Sequence, residues 1–375
     1  MKRKQSTRPI LLIGTAETSP DFEYSSGFRA PDPAVFLWTS KMGYLVVSAL
    51  EFGRASRISK HVKAVTPEQL GLGKNKRRQL GHWALALLQW QAVKTVTIPP
   101  SFPYGAGQLL KKNGIRVIVA KGALFPSRAV KTDAEVRKIR ESQQAAVIAL
   151  RSAVAMIAAS SIEENGGLRS KGEILTSEMV QRTIARVLLD HNCFSRETIV
   201  ACGNQGADPH EKGHGPLAAG EPVVIDIFPQ HLDHGYWGDL TRTVVRGIAT
   251  AQTKKMYRAV RAAQYAALAK IRPGVKCSTV HGCAVTEFER RGFRTETIDS
   301  RCMGFIHSTG HGVGLAIHEE PALGQTDKRL RTGHVVTVEP GLYYPDIGGI
   351  RIEDTIVVTK TGWRYLVPCE KKLEV

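Results

Sequence analysis

A small α/β domain followed by an internally duplicated α+β domain is the architecture these 375 residues predict. Three observations carry that expectation. First, one short plan occurs twice: Leu217, Gly220 and Asp226 stand at the same spacing as Leu330, Gly333 and Glu339. In both places an apolar, β-branched run (VVID, VTVE) ends on the acid, and a turn leads to a second β-branched run around Asp239 or Glu353. Second, residues 1–131 carry 21 Lys and Arg against 6 Asp and Glu, so they hold 15 of the 18 excess positive charges. A segment so unlike the rest is expected to be a separate unit with its own surface. Third, Thr132-Asp-Ala-Glu135 has the form of a capping box, a Thr N-cap with Glu at the third helical position, and marks a helix start. The domains are therefore expected over 1–131 and 132–375.

Composition narrows the class. A hydrophobic content of 42% with 23% charged residues is ordinary for a globular chain. No apolar run approaches the ~18–20 residues of a membrane span. The start, MKRKQSTRPILLIG, is basic, but its apolar run is too short for a secretory signal, so a cytoplasmic location is expected. The six cysteines show no C-x-x-C and no dense framework, which reads as reduced thiols.

Taken in order, PILLIG (9–14) reads as a buried strand, and VFLW with YLVVS (35–38, 44–48) as a hairpin. Leu80, Trp83, Leu87 and Trp90 recur at helical spacing, which predicts a helix over about 79–92 with its tryptophans in the core. TVTIPP and IRVIVAKG are two further strands flanking a helix near 105–113. The LGLGKNK stretch has no G-x-G-x-x-G and reads as a surface loop. From Thr132 a helix follows with Val136, Ile139, Ala146, Leu150, Val154 and Ile157 on one stripe. A second helix is expected over 173–189, a strand at 197–203 and the first hairpin at 221–247. Helices near 253–270 and 278–291, a His-rich segment at 305–320 and a second hairpin at 334–359 complete the repeat.

An acid closing a buried strand is costly unless something compensates it. If the first hairpin's register places Asp226 and Asp239 together, the two carboxylates repel unless protonated or metal-bound; the bland alternative is a solvated turn with a salt bridge to Arg242. Glu339 and Glu353 repeat the arrangement. Pro340-Gly341 and Gly348-Gly349 would permit a sharp turn between them. Arg351 stands two residues before Glu353, on the same strand face, where it could hold a ligand carboxylate. In FIHSTGHGVGLAIHEEP, His307, His311 and His318 lie among glycines that let backbone approach closely. Four carboxylates with an imidazole suit divalent Mn, Co, Fe or Zn. They exceed the needs of one catalytic ion and fit two, which points to metal-assisted hydrolysis.

IDIFPQHLDHGYWGDLTRT, HSTGHGVGLAIHEEP, TVEPGLYY and GGIRIEDT resemble the consecutive motifs of the pita-bread metallopeptidases, which include aminopeptidase P, prolidase, methionine aminopeptidase and the creatinases. The resemblance covers roughly 132–375. The leading domain and capping-box helix resemble the aminopeptidase P, prolidase and creatinase branch. It implies a pita-bread catalytic domain behind a creatinase-type N-terminal domain, two divalent ions (manganese first), and hydrolysis of Xaa-Pro bonds in dipeptides or longer peptides. By motif, Asp226 is implied as a terminal ligand of one ion, Asp239 and Glu353 as bridging ligands, and His311 and Glu339 as ligands of the second. Glu339 is also implied in proton exchange with the attacking water. His318 is implied at the tetrahedral intermediate, His307 and His210 on the substrate side, and Arg351 behind a ligand carboxylate. His214 competes with His210, because this loop departs from the family spacing. A homodimer or higher oligomer is implied as well.

Two departures stand out. The turn between Asp226 and Asp239 is about two residues longer than the family's, and Phe228 stands where a glycine is usual. The complete ligand set argues against the creatinase branch. A non-catalytic peptide- or nucleic-acid-binding adaptor is the alternative, kept open by the basic first domain. Its densest cluster, Lys74, Lys76, Arg77 and Arg78, is expected to give at most weak, non-specific polyanion binding that fades with salt.

Overall fold

The computed structural model describes residues 8–29, 31–58, 61–298 and 301–375. The basic start over residues 1–7 lies outside them. The chain divides into two compact units, Met1–Arg128 and Ala129–Val375.

The first unit is built on a six-stranded mixed sheet in the order Val62–Val65, Gly43–Val46, Ala34–Trp38, Ile10–Gly14, Thr95–Ile98, Arg116–Val119. The first strand alternates its side chains between two apolar layers. Leu11 joins Val35, Leu37, Val96 and the helix residues Trp83, Leu87 and Leu88. Ile10 and Leu12 join Phe22, Phe36 and Leu45 on the opposite face. Helices therefore cover both faces, as a sheet with two apolar sides requires.

The helix predicted over 79–92 is Leu80–Trp90. Trp83 is buried there, but Trp90 is 44% exposed. Its ring meets Tyr44 edge-on and lies under the Lys63 ammonium at 5.0 Å. Lys63 belongs to the edge strand of the sheet, so this last ring of the stripe sits where the core gives out. Strand Val62–Val65 and helices Pro20–Ser26 and Ala49–Ala55 have too little periodicity to be read from sequence. In the basic cluster Lys74, Lys76 and Arg78 are exposed. Arg77 bonds the Leu72 carbonyl at 2.8 Å and pairs with Glu68 at 3.2 Å.

The second unit repeats one plan. Helices Asp133–Ala158 and Ser177–Asp190 pack against the antiparallel strands Ile199–Cys202, Pro222–Ile227 and Leu240–Val245 around one apolar cluster. Helices Ala251–Lys270 and Cys277–Arg290 pack in the same way against Val335–Val338, Gly341–Tyr344, Gly348–Arg351 and Asp354–Val358. This duplicated α+β layer is the pita-bread arrangement. Among the described residues, no helix is long and apolar enough to cross a membrane.

The capping box forms as expected: the Thr132 side chain accepts from the Glu135 N–H, and the Glu135 carboxylate accepts from the Thr132 N–H. The stripe it opens is buried except for Val154, which is partly covered. The second helix begins at Ser177, not 173, because Thr176 caps it and Glu173–Ile174 pairs instead with Leu168–Ser170.

At the start of the second hairpin His334 is 4% exposed, and its Nδ1 accepts the Arg331 N–H. Burial, with the Lys131 and Arg331 cations, pushes its pKa down to about 4. The unfolded chain, near ~6.5, binds the proton more readily. This histidine's contribution to stability is therefore complete above that value and is lost as pH falls through about 4. The urea midpoint should drop over that window, and drop less in His334→Gln. Parallel pH profiles for the two proteins would count against this role.

Candidate functional site

The first hairpin places its acids diagonally. Its register pairs Asp226 with Thr241 and Ile227 with Leu240, so Asp239 lies two positions from Asp226's partner, on the same face. Where the hairpin opens, a helix side chain takes over the pairing. Gln143 donates to the Asp239 carbonyl at 2.9 Å and accepts the Asp239 N–H at 2.8 Å. Gly238 makes this approach possible: a Cβ there would lie 2.7 Å from the Gln143 backbone nitrogen. Arg242 does not serve this acid pair. Its guanidinium bonds Asp354 at 2.7 Å.

The second hairpin is interrupted at its acids. Val338 pairs with Asp354, and Gly341 with Arg351, in one continuous register. Glu339 with Glu353 and Pro340 with Ile352 would be the pairs between, but the backbones of the two acids have changed partners. The Glu339 N–H donates to Thr309 O at 2.8 Å, and the Glu353 N–H to Thr241 O at 3.0 Å. The two acids therefore face each other across a gap in the ladder. Pro340 belongs to this gap, and Gly341 resumes the ladder opposite Arg351. The chain reverses instead at 345–347, where Asp346 takes a left-handed φ of 71°.

The His-rich segment runs along the Glu339 strand as an irregular extra strand. Thr309, His311 and Val313 bond in turn to Glu339, Thr337 and Val335. The glycines admit the neighbouring backbone, since a Cβ on Gly310 would come within 2.1 Å of Thr337 O. His311 Nδ1 lies 3.1 Å from the Gly312 carbonyl, which assigns the proton to Nδ1 and leaves Nε2 for the acids. That Nε2 is 3.2 Å from Glu339 Oε1 and 3.5 Å from Asp239 Oδ2. Asp239, His311 and Glu353 each offer an atom within 4.8 Å of the others, a spacing at which three groups could hold one ion.

The electrostatics are those of a buried carboxylate cluster. Burial and the Asp226 charge push Asp239 well above the usual carboxylate range. Burial and the Asp239 charge do the same to Glu353. Burial alone would lower His311, but the Glu339 bond and the Glu339 and Asp239 charges lift it to about 9. Glu339, which burial would raise, is brought down to about 2 chiefly by His311. Asp226 Oδ1 and Glu353 Oε1 are buried and accept no hydrogen bond among the described residues. Orphaned carboxylate oxygens and carboxyls driven toward neutrality are what a cation would satisfy. The donor set fits divalent metal.

Around this cluster lies a supporting shell. Arg351, 3% exposed, donates to Asp226 Oδ2 at 2.7 Å, reaching the other hairpin's acid rather than its own strand neighbour Glu353. It also donates to the Tyr343 hydroxyl at 2.8 Å, and that hydroxyl lies 2.9 Å from His307 Nε2. Thr241 Oγ1 donates to Glu353 Oε2 at 2.7 Å, and Thr337 Oγ1 to Glu339 Oε1 at 3.1 Å. Tyr343, Thr241, Thr337 and Gln143 were not singled out from sequence. The first three lie two or four positions from an acid on a strand, so the period of two was their available signal.

The remaining histidines divide. The His318 ring stands edge-on to His311, with centroids 4.3 Å apart, and burial with the His311 charge lowers its pKa. His307 is lowered by burial. His210 lies close enough for its charge to act on both His307 and His318. His214 lies beside Glu178. A separate group brings Glu141 of the helix Asp133–Ala158 against His231 and His234 of the long first-hairpin turn, the two rings stacked at 3.9 Å. Each Nδ1 there accepts a backbone N–H at 3.2 Å. Each Nε2 therefore carries the proton, and these rings brace the turn without offering a lone pair.

The model of metallopeptidase family M24 matches residues 137–360. A Xaa-Pro dipeptidase of Pyrococcus horikoshii is 30% identical over 359 residues, covering 95% of this chain and 92% of that protein. The crystal structure of the prolidase from Pyrococcus horikoshii superposes with a TM-score of 0.79 at 27% identity, over 98% of this chain and 96% of that one. An X-Pro aminopeptidase from Thermotoga maritima shares the fold, with a TM-score of 0.81 at 22% identity over 99% and 98%. With a family match across its duplicated domain and a relative along nearly its whole length, this chain belongs to metallopeptidase family M24.

Proposed function

We propose that this M24 metallopeptidase is a dinuclear Xaa-Pro peptidase of prolidase type, with Asp226, Asp239, His311, Glu339 and Glu353 as the ligand set. The observation that carries the reading is the convergence of these five groups from both hairpins and the His segment, with two carboxylate oxygens left buried and unpaired. The dipeptide preference is supported by the Xaa-Pro dipeptidase that matches along the chain. Manganese is the first choice of ion, with cobalt, iron or zinc compatible with the same donors.

Bound divalent ions supply the Lewis acidity that polarises the scissile carbonyl and makes water nucleophilic near neutral pH. The chain's own groups do the rest. Glu339 accepts the proton of the attacking water and passes it toward the leaving nitrogen. His318, kept neutral by burial and His311, has an N–H to donate to the oxygen that becomes negative. His210 is favoured over His214 on the substrate side, because it lies toward His307 and His318. His307 presents its ring there, with Nδ1 beside the Ser308 carbonyl at 2.7 Å and Nε2 toward Tyr343. Arg351 holds Asp226 in orientation.

The test is a peptide panel with manganese-loaded protein: Xaa-Pro, Xaa-Pro-Xaa-Xaa and Xaa-Ala. Release of the first residue from Xaa-Pro, abolished by a chelator and absent with Xaa-Ala, is expected. Loaded protein that leaves every Xaa-Pro peptide intact would overturn the reading. Preferential cleavage of the tetrapeptides would reassign it to the aminopeptidase P type.

A further inference from the structure

The loop from His311 to His318 is closed on itself. Gly312 and Glu319 exchange two backbone hydrogen bonds, each 2.9 Å. His311 is fastened separately to the hairpin: its N–H donates to Thr337 Oγ1 at 3.0 Å, and its carbonyl accepts the Thr337 N–H at 2.8 Å. His318 lies in no strand and takes its place from its neighbours. The neighbour that is anchored is Glu319. Its carboxylate is turned under the loop, where a Cβ on Gly314 would stand 2.3 Å from Oε1, and Oε2 accepts the Ala316 N–H at 3.4 Å.

Glu319 Oε1 is held by Lys131 Nζ at 2.5 Å, with the two side chains 1% and 7% exposed. Lys131 is itself fixed, since its N–H donates at 2.7 Å to the carbonyl of Gly333, where the second hairpin begins. A buried ion pair adds little to net stability, but removing one partner strands the other's charge. Without Lys131, the Glu319 carboxylate loses the buried cation that holds it at 2.5 Å beneath the loop, and the loop that carries His318 loses that tether.

We propose that Lys131 is a positioning residue for His318, acting through its buried ion pair with Glu319. This rests on the assignment of His318 to the substrate made above. Lys131 bonds Ala129, Gly333 and Glu319, none of them a ligand or a substrate-side residue in the reading above. Its loss should therefore show in turnover and not in metal content.

The experiment is a double-mutant cycle in manganese-loaded enzyme on a Xaa-Pro dipeptide, with Lys131→Met, Lys131→Arg, His318→Ala and Lys131→Met/His318→Ala. Lys131→Met should keep two ions per chain and a KM within about threefold, and lower kcat by roughly 10- to 10²-fold, the scale of an ångström's misplacement. Lys131→Arg should recover most of kcat. In the His318→Ala background, Lys131→Met should have no further effect. Should Lys131→Met not fold, Glu319→Gln, which keeps the shape and weakens the pair, is measured in the same cycle with the same expected readouts. Wild-type kcat in Lys131→Met, or an equal loss with and without His318, would overturn the positioning role. A His318→Ala enzyme with wild-type kcat would overturn the catalytic reading of His318, and the role of Lys131 with it.

Discussion

Asp239→Asn is expected to lose bound divalent metal and to lower kcat/KM by at least about 10²-fold, since even partners one layer behind a metal cost ~10–100-fold when mutated. The reason lies in the charge. Asp239 is 4% exposed, and burial together with the Asp226 carboxylate already drives it toward the neutral form. It remains a useful anion only if a cation occupies the space between it, His311 and Glu353. Asparagine keeps the shape and the backbone bonds to Gln143 but removes the charge. Glu353, which the Asp239 charge helps push upward, would then lie closer to its ordinary range and the ion-free protein should be no less stable. Loss of metal with a retained or raised urea midpoint is thus the expected pair of results. Metal analysis returning two ions per chain for this variant would remove Asp239 from the ligand set.

His318→Ala is expected to behave in the opposite way, keeping its metal and losing turnover. The ring lies edge-on to His311 but is absent from the group of atoms that converge on a common point. Its depressed pKa keeps an N–H, without a full positive charge, beside the cluster at neutral pH. A donor aimed at the developing oxyanion acts mainly in the transition state, so kcat should fall by on the order of 10²–10³-fold with a small change in KM. Steady-state kinetics with metal content on the same samples decides it. Unchanged kcat would exclude the residue from the mechanism, whereas loss of an ion would make it a ligand.

Much of this protein was legible in the chain because local physics carries it. The repeated Leu-Gly-acid spacing located both hairpins, since strands with one buried face repeat their pattern wherever they repeat their packing. The Thr132–Glu135 box marked the long helix because capping is satisfied within four residues. The glycines around His311 signalled close backbone approach, although what approaches is the Thr337 strand. Trp90 was misplaced because helical periodicity says which side of a helix is apolar but not where the sheet beneath it ends.

What only the tertiary structure decided is which groups meet. The exchange of backbone partners that sets Glu339 facing Glu353 depends on strands more than a hundred residues apart joining through Thr241 and Glu353, while the offset of Asp226 against Asp239 is a register that only the folded first hairpin fixes. Arg351 was legible as a carboxylate holder, but its reach to Asp226 depends on that junction. The fold also separates His210 from His214, four positions apart in the chain and facing different neighbours. The sequence by itself determined the repeated elements and the chemical types of the site, because periodicity, capping and residue chemistry are local. The pairings, the orphaned oxygens and the Lys131–Glu319 brace are long-range, because a register and a buried charge's partner exist only once two distant segments have packed.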